Sequence, residues 1–312
     1  MDYHVLAYYC FTPLENPARE VLLHKNFLGS RDARGRIYIS DEGINGQMSA
    51  SEEAAGEYQE WLKSDPRFAG VQFKTHLWHE HCFPIMTVKL RPQLVALDQK
   101  VDMGKAGKRV SPEKWKAMLE ARDAETVVID VRNKYEWEVG HFEGAELPDL
   151  EKFRDFPTYA RELKKGRDPK KTKVMMYCTG GIRCELYSAL MKEEGFEDVC
   201  QLEGGVIGYG LKEGTKHWRG KLFVFDDRLS VPIADGAGEV ISKCRYCAEL
   251  SDLYFNCANM ACNELFIACK ACAAKMQGCC CSACEEAPSR RPFIAQDRPK
   301  PFRRKHLLGT SS

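Results

Sequence analysis

Lys173-Val-Met-Met-Tyr-Cys178-Thr179-Gly180-Gly181-Ile182-Arg183, continuing as Cys184-Glu-Leu-Tyr-Ser-Ala-Leu-Met-Lys192, is the stretch on which the reading of this chain turns. Lys173 to Tyr177 has the texture of a buried strand. Cys184 to Lys192 reads as a helix with Leu186, Leu190 and Met191 on one face. The glycine-rich loop between them therefore runs from a strand end into a helix N-terminus. Unpaired backbone N–H groups and the helix dipole favour an anion there. The same field stabilises a thiolate, so it lowers the pKa of a cysteine placed in it. Arg183 adds a permanent positive charge. The plain alternative is a buried structural cysteine beside a tight turn, and the glycines and the arginine argue against it.

Outward from this loop, Thr126-Val-Val-Ile-Asp-Val131 is a second buried-strand run, and Ser111-Pro112 opens a helix with a serine cap and proline at its first position. Helices between such strands predict an α/β domain with a parallel sheet over 108–215. Its ligand site belongs at the carboxyl ends of the strands, where Asp130 and Cys178 both fall. In front, residues 1–95 alternate strand, helix, strand, strand, helix, strand, which predicts a ferredoxin-like α+β domain. Its first helix starts at Asn16-Pro17, with Val21, Leu22 and Leu23 offered to a core, and its second starts at Ser51 as N-cap. Residues 93–109 are polar and basic and read as a linker. Behind, 216–287 combines an extended aromatic segment, Trp218 to Asp226, with a cysteine-rich module. Residues 288–312, rich in proline and arginine, read as a flexible basic tail.

With 312 residues and a net charge of +1, the chain has room for about two domains and no global attraction to nucleic acid or membrane. It contains no apolar run of membrane-spanning length, and its start lacks the pattern of a secretory signal. Fifteen cysteines without such a signal point to reduced thiols, metal ligands and catalysis in a cytoplasm. Nothing points to a protein partner.

Ten of those cysteines lie in the 41 residues from 244 to 284. Cys244-x2-Cys247, Cys257-x4-Cys262 and Cys269-x2-Cys272 have zinc-ligand spacing, as does a fourth pair for which we take Cys280 and Cys284 among Cys279, Cys280, Cys281 and Cys284. Four pairs make two four-cysteine sites, sequential or interleaved. A module this small, with few large apolar groups, needs such a staple. Redox thiols or disulfides are the alternative. An all-sulfur, closed donor set argues for a structural rather than a catalytic metal. His76, His79 and His81 read as decoration of a strand end and its loop. The basic runs at 164–173 and 290–304 read as solvated surface or as phosphate contacts. No dinucleotide fingerprint surrounds Gly204-Gly205.

Two further motifs frame the loop. Asp130-Val-Arg132-Asn-Lys-Tyr-Glu136 is followed by Gly140-His141-Phe-Glu-Gly144-Ala145, and the loop itself by Glu203-Gly204-Gly205. Together these resemble a rhodanese domain, whose sulfur-handling members carry a six-residue loop where related phosphatases use one more. Ile39-Ser-Asp-Glu-Gly-Ile-Asn-Gly46, Cys178 to Glu185, Phe223-Val-Phe-Asp-Asp-Arg228, Asn256-Cys257 and Leu265 to Cys269 extend the likeness along nearly the whole chain. They resemble the rhodanese-like tRNA uridine hydroxylases, which add an acylphosphatase-like domain in front and a cysteine-rich module behind. The run of three cysteines at 279–281 departs from the pair such a module leads one to expect.

That resemblance implies oxygen-dependent hydroxylation of the wobble uridine, position 34, to 5-hydroxyuridine, with the tRNA anticodon loop as partner and molecular oxygen as co-substrate. It implies Cys178 as catalytic nucleophile, Thr179, Gly180, Gly181, Ile182 and Arg183 as its anion-binding loop, and Asp130, Arg132 and Glu136 as supporting residues. It points to Arg36, Arg219, Lys221 and Arg228 as RNA contacts. A thiolate could add to C6 of uracil and build electron density at C5. The rival reading is a sulfurtransferase carrying a Cys178 persulfide, which needs the same loop but not the flanking domains. A non-catalytic scaffold is a third, disfavoured by the intact cysteine and arginine. Cys184 either resolves an oxidised Cys178 or packs the helix.

Overall fold

The computed structural model describes residues 2–97, 99–150 and 152–303. Arg304 and the remainder of the expected basic tail lie outside them.

The front domain runs β1 (Tyr3–Phe11), α1 (Pro17–Leu28), β2 (Ala33–Ser40), β3 (Gly43–Ala50), α2 (Glu52–Ser64), β4 (Lys74–Trp78) and β5 (Met86–Leu90). The sheet order is β4-β1-β3-β2-β5, ferredoxin-like through the first four strands, with β5 added parallel to β2 at the edge. Asn16 and Ser51 cap the two helices through side-chain oxygens that accept from Arg19 N–H and Ala54 N–H. Both helices cover one face of the sheet around Leu6, Tyr8, Ile37, Ile39 and Met48. Of the three residues of α1 expected to face this core, Val21 does so, whereas Leu22 and Leu23 are exposed. Consecutive helical residues diverge by 100°, and the buried stripe is Val21, His24 and Leu28 instead.

The central domain follows as β6 (Lys108–Val110), α3 (Pro112–Glu120), β7 (Thr126–Asp130), α4 (Lys134–Trp137), β8 (Gly140–Phe142), α5 (Phe156–Gly166), β9 (Lys173–Tyr177), α6 (Ile182–Glu193), β10 (Asp198–Leu202) and α7 (Gly205–Glu213). β6, β10, β9 and β7 form one parallel sheet in that order. Along β9, Val174 and Met176 enter one core while Met175 and Tyr177 enter another on the opposite face. A strand covered on both sides reads as an uninterrupted apolar run, which is why β9 shows no alternation.

The expected linker at 93–109 is not a free connection. Leu94, Val95 and Leu97 are buried, and Val95 and Leu97 belong to the central core. Its end, β6, pairs with β10.

After α7, β11 (Trp218–Gly220) pairs with β8, and β12 (Leu222–Phe223) pairs with β13 (Ser230–Val231). The cysteine module holds a hairpin, β14 (Tyr254–Asn256) and β15 (Leu265–Ile267), with short helices α8 (Lys270–Lys275) and α9 (Ser282–Glu285). The chain from 288 to 303, expected to be a flexible tail, is strapped down instead. Phe293 joins the module core, Arg291 N–H donates to Ala258 O at 2.9 Å, and Arg303 pairs with Asp227. Scattered apolar and cationic side chains anchor it without any helical or strand periodicity. No helix among the described residues is long and apolar enough to cross a membrane.

Trp115 of α3 is fully buried and meets the rings of Phe142 and Tyr177, so it ties the helix to both the sheet and β8. Trp115→Ala is expected to cost about 3–5 kcal/mol through the cavity it leaves. Urea unfolding followed by circular dichroism measures this; an unchanged midpoint would mean that the core closes over the gap.

Candidate active site

Cys178 follows the last residue of β9, and α6 begins four residues later at Ile182. Gly181 takes φ 104°, which L side chains rarely adopt, and a Cβ there would sit 2.9 Å from the Tyr9 hydroxyl. The bend turns the Gly181 N–H onto Cys178 Sγ at 3.1 Å. The segment after β10 braces the loop from behind, with Val206 N–H donating to Cys178 O at 3.0 Å and Ile207 N–H to Thr179 O at 3.1 Å. Gly205 lies so close that a Cβ would fall 2.5 Å from Cys178 O.

Burial pushes the Cys178 thiol up. The Cys184 side chain, the Arg183 charge and the N–H groups of Cys184 and Gly181 outweigh burial and bring it down to about 5. Burial, reinforced by the Cys178 charge, raises the Cys184 thiol well above its ordinary value. The two neighbouring sulfurs are thus pushed in opposite directions, Cys178 towards the thiolate and Cys184 towards the thiol.

Arg183 holds the loop from the other side. Its guanidinium grips Glu136 with two bonds of 2.7 and 2.8 Å and also donates to Thr179 Oγ1 at 3.2 Å. Thr179 Oγ1 itself donates to Glu136 Oε1 at 3.2 Å. Glu136 lies on α4, so the fork joins that helix to the thiol loop. Asp130 and Arg132 do something different from what their strand-end position suggests. They pair with each other at 2.6 and 2.8 Å, fully buried, and Arg132 donates to Gly140 O at 2.6 Å. They lock β7 to β8 and do not open onto Cys178.

The thiol lies at the floor of a cleft of about 530 Å³ between the front and central domains. Tyr9, Arg36, Tyr38, Lys74 and Arg91 line it from the front, and Phe153, Ile182 and Phe225 line it from the central side and the segment behind. The Tyr9 hydroxyl donates to Glu185 on α6 at 2.8 Å, which docks β1 onto the helix that starts at the loop. Burial pushes the Lys74 ammonium down to about 8, against the opposing charges of Cys178, Glu185 and Glu203. Tyr9, Tyr38, Lys74 and Arg91 were not singled out from the sequence. Each lies in a strand or loop more than 80 residues from Cys178, and the lone lysine within Val71 to His76 was the only hint.

Of the four expected RNA contacts, Arg36 reaches the cleft. Arg219 and Lys221 are neutralised instead by Glu239 (2.8 Å) and Asp252 (2.5 Å), and Arg228 by Asp226 (2.6 Å) beneath Trp78. The three histidines separate: His76 meets Arg228, His81 meets Ser49 and Asp32, and His79 stays at the surface.

Further back, the paired cysteines gather into two sets, Cys244 with Cys247, Cys269 and Cys272, and Cys257 with Cys262, Cys280 and Cys284. Within each set the sulfurs lie within 4.8 Å of one another, a spacing that one metal ion can bridge. The pairs interleave, first with third and second with fourth. Cys280 is the member of the triple run that joins a set, while Cys279 donates to Cys284 O at 3.4 Å and Cys281 is exposed. Tyr254 of this module donates to Tyr135 O, next to Glu136, and its ring meets Phe223 at 5.1 Å.

The thiolate is open to direct measurement. Because the Cys178 acid form is confined to low pH, its alkylation by iodoacetamide is expected to rise through about pH 5 and to be flat at neutral pH. Cys82 and Cys200, pushed up to about 12 by burial, should still be climbing there. Peptide mass spectrometry resolves the sites, and a midpoint for Cys178 near that of an ordinary thiol would refute the cradle.

Comparison with known proteins matches the whole of this architecture. Residues 3–94 match the UPF0176 acylphosphatase like domain, 111–211 the Rhodanese-like domain and 219–285 the Rhodanase C-terminal family. A protein of Protochlamydia amoebophila named tRNA uridine(34) hydroxylase is 52% identical over 98% of this chain and 95% of its own length. Proteins of the same name from Chlamydia trachomatis serovar L2 and Chlamydia muridarum are 55% and 54% identical, each over 99% of this chain and 94% of their own length. With more than half the residues identical over nearly its whole length, the chain belongs to the tRNA uridine(34) hydroxylase family.

Proposed function

We propose that this protein hydroxylates C5 of the wobble uridine of tRNA, with Cys178 as nucleophile and molecular oxygen as oxidant, in the cytoplasm. The observation that carries this reading is a thiolate held at the floor of a nucleotide-sized cleft. At about 530 Å³ the cleft falls within the ~300–1,000 Å³ of small-molecule sites. A persulfide sulfur needs only the loop, so sulfur transfer leaves the front wall, with Tyr9, Tyr38 and Lys74, without a task. An anticodon base, single-stranded and easily unstacked, can enter such a cleft at small cost. Arg36 and Arg91, from the front domain, are suited to its flanking phosphates.

In this reading the loop N–H groups and Arg183 keep sulfur anionic, and its addition to C6 raises electron density at C5. Glu136 acts through Arg183 as a positioning residue, and Asp130 with Arg132 holds the strand ends. Each four-cysteine set fits zinc, since four thiolates within reach of one point and no open position suit a tetrahedral structural ion. The metal would cross-link the module and supply no chemistry to Cys178.

Cys178→Ser, of nearly the same size but without an accessible anion, is expected to abolish 5-hydroxyuridine while leaving the fold intact. Nucleoside mass spectrometry of tRNA from cells carrying the variant or the wild type reads this out. Unchanged 5-hydroxyuridine would remove Cys178 from the mechanism and reopen sulfur transfer. Independently, elemental analysis of protein purified without chelator should find zinc. Stripping it should unfold residues 244–284 ahead of the central sheet, because the metal carries the module's folding energy; metal-free protein with an ordered module would contradict the assignment.

A further inference from the structure

Lys74, half-buried, differs from the arginines around the thiol loop. Arg183, Arg132 and Arg228 are each forked onto a carboxylate. Lys74 has no ion-pair partner among the described residues, and its ammonium instead rests 4.9 Å from the centre of the Tyr9 ring. The nearest acid on α6, Glu185, is already engaged by Tyr9 at 2.8 Å, Arg109 at 2.9 Å and Gln201 at 3.1 Å. Lys74 shares the wall of the Cys178 cleft, and its stem lies over Gly204, beside the segment that braces the thiol loop. A half-buried ammonium that has no carboxylate at ion-pair distance, only the more distant charges of Cys178, Glu185 and Glu203, is left able to take an incoming group as its partner. Here the cleft is where that group arrives.

We propose that Lys74 is a catalytic residue of this site, whose ammonium binds O4 of the target uracil and holds the negative charge that develops there when Cys178 sulfur adds to C6. This rests on the reading of Cys178 as the C6 nucleophile. In the step, the S–C6 bond forms, the C5=C6 pair moves to C4=C5, and the carbonyl pair moves onto O4. Nothing leaves and no oxidant is consumed. A cation fixed at O4 before the reaction would meet that charge as it develops, without reorganisation. The front domain therefore contributes chemistry as well as shape. The adduct can also revert: C5 takes a hydron from solvent, loses its original one, and sulfur departs, so C5–H exchanges with water.

That exchange supplies an oxygen-free test. The full-length protein is incubated anaerobically in D2O with an anticodon stem-loop RNA, and deuterium at C5 of the wobble uridine is followed by nucleoside mass spectrometry. Wild type should exchange and Cys178→Ser should not. Lys74→Met should slow exchange by about 100-fold at saturating RNA, the usual loss of one oxyanion donor, a loss larger than any fall in RNA affinity. Lys74→Arg should recover part of the rate, and Lys74→Gln serves if the methionine variant does not fold. Exchange in Lys74→Met at the wild-type rate overturns the role of Lys74 and leaves the nucleophile standing. No exchange in wild type overturns both. A Cys178 alkylation profile in Lys74→Met displaced far enough to explain the slower rate would make Lys74 a positioning residue for the thiolate, and that too overturns the proposal.

Discussion

The fork between Arg183 and Glu136 is the interaction on which the rest of the site depends. A sulfur anion buried at a strand end requires a nearby cation, and a buried cation requires a carboxylate of its own. Arg183 serves the first need and Glu136 the second, with Thr179 between them. Because Glu136 belongs to α4 and Arg183 to the first turn of α6, the pair fixes the distance between two elements that approach the sheet from different directions. The loop between β9 and α6 has no freedom left to relax around its thiol.

Support for this fork comes from far along the chain. Tyr135, adjacent to Glu136, has its carbonyl bonded by Tyr254 and its ring set against Phe223. Val139, Phe223, Leu229, Tyr254 and Ile267 form one small core that spans the central domain and the cysteine module. The module therefore acts as a buttress behind the thiol loop. Interleaving of its cysteine pairs suits that purpose, since one set brackets the whole β14–β15 hairpin and the other brings the hairpin turn to α9. The strap from 288 to 303 continues the same theme by running back over Asp227, whose N–H donates to Cys82 O of the front domain at 2.9 Å.

The front domain completes the cleft by contact with the same helix. Tyr9 sits over Gly181 and bonds Glu185, so β1 and α6 are registered to one another within a single turn of the thiol. That docking explains why the stretch Cys178 to Glu185 continues its pattern beyond the arginine: the terminal glutamate receives the neighbouring domain. The separation of roles among cations follows from the same geometry. Arginines with planar, bidentate partners hold structure, and a lysine with none faces the cleft.

Local chemistry made the thiol loop, the helix start at Asn16-Pro17, the helix caps at Ser51 and Ser111, the two buried strands and the paired cysteines legible from sequence alone. In each case the signal lies in a few adjacent residues: a glycine that must take positive φ, a side-chain oxygen three residues from an N–H, a two-residue spacer between thiols. The order of elements also foretold the ferredoxin-like sheet and the parallel sheet, because connection rules leave few alternatives. What the sequence could not reveal was pairing across distance. In sequence Arg219, Lys221 and Arg228 look no different from Arg36 until Glu239, Asp252 and Asp226 are seen beside them. Leu22 and Leu23 look buried until helix rotation turns them outward, and the 288–303 strap looks disordered until its anchors are met. Tyr9 and Lys74 reach Cys178 only through the docking of two sheets. Burial and charge neutralisation are properties of neighbours in space, and tertiary structure alone decides who those neighbours are.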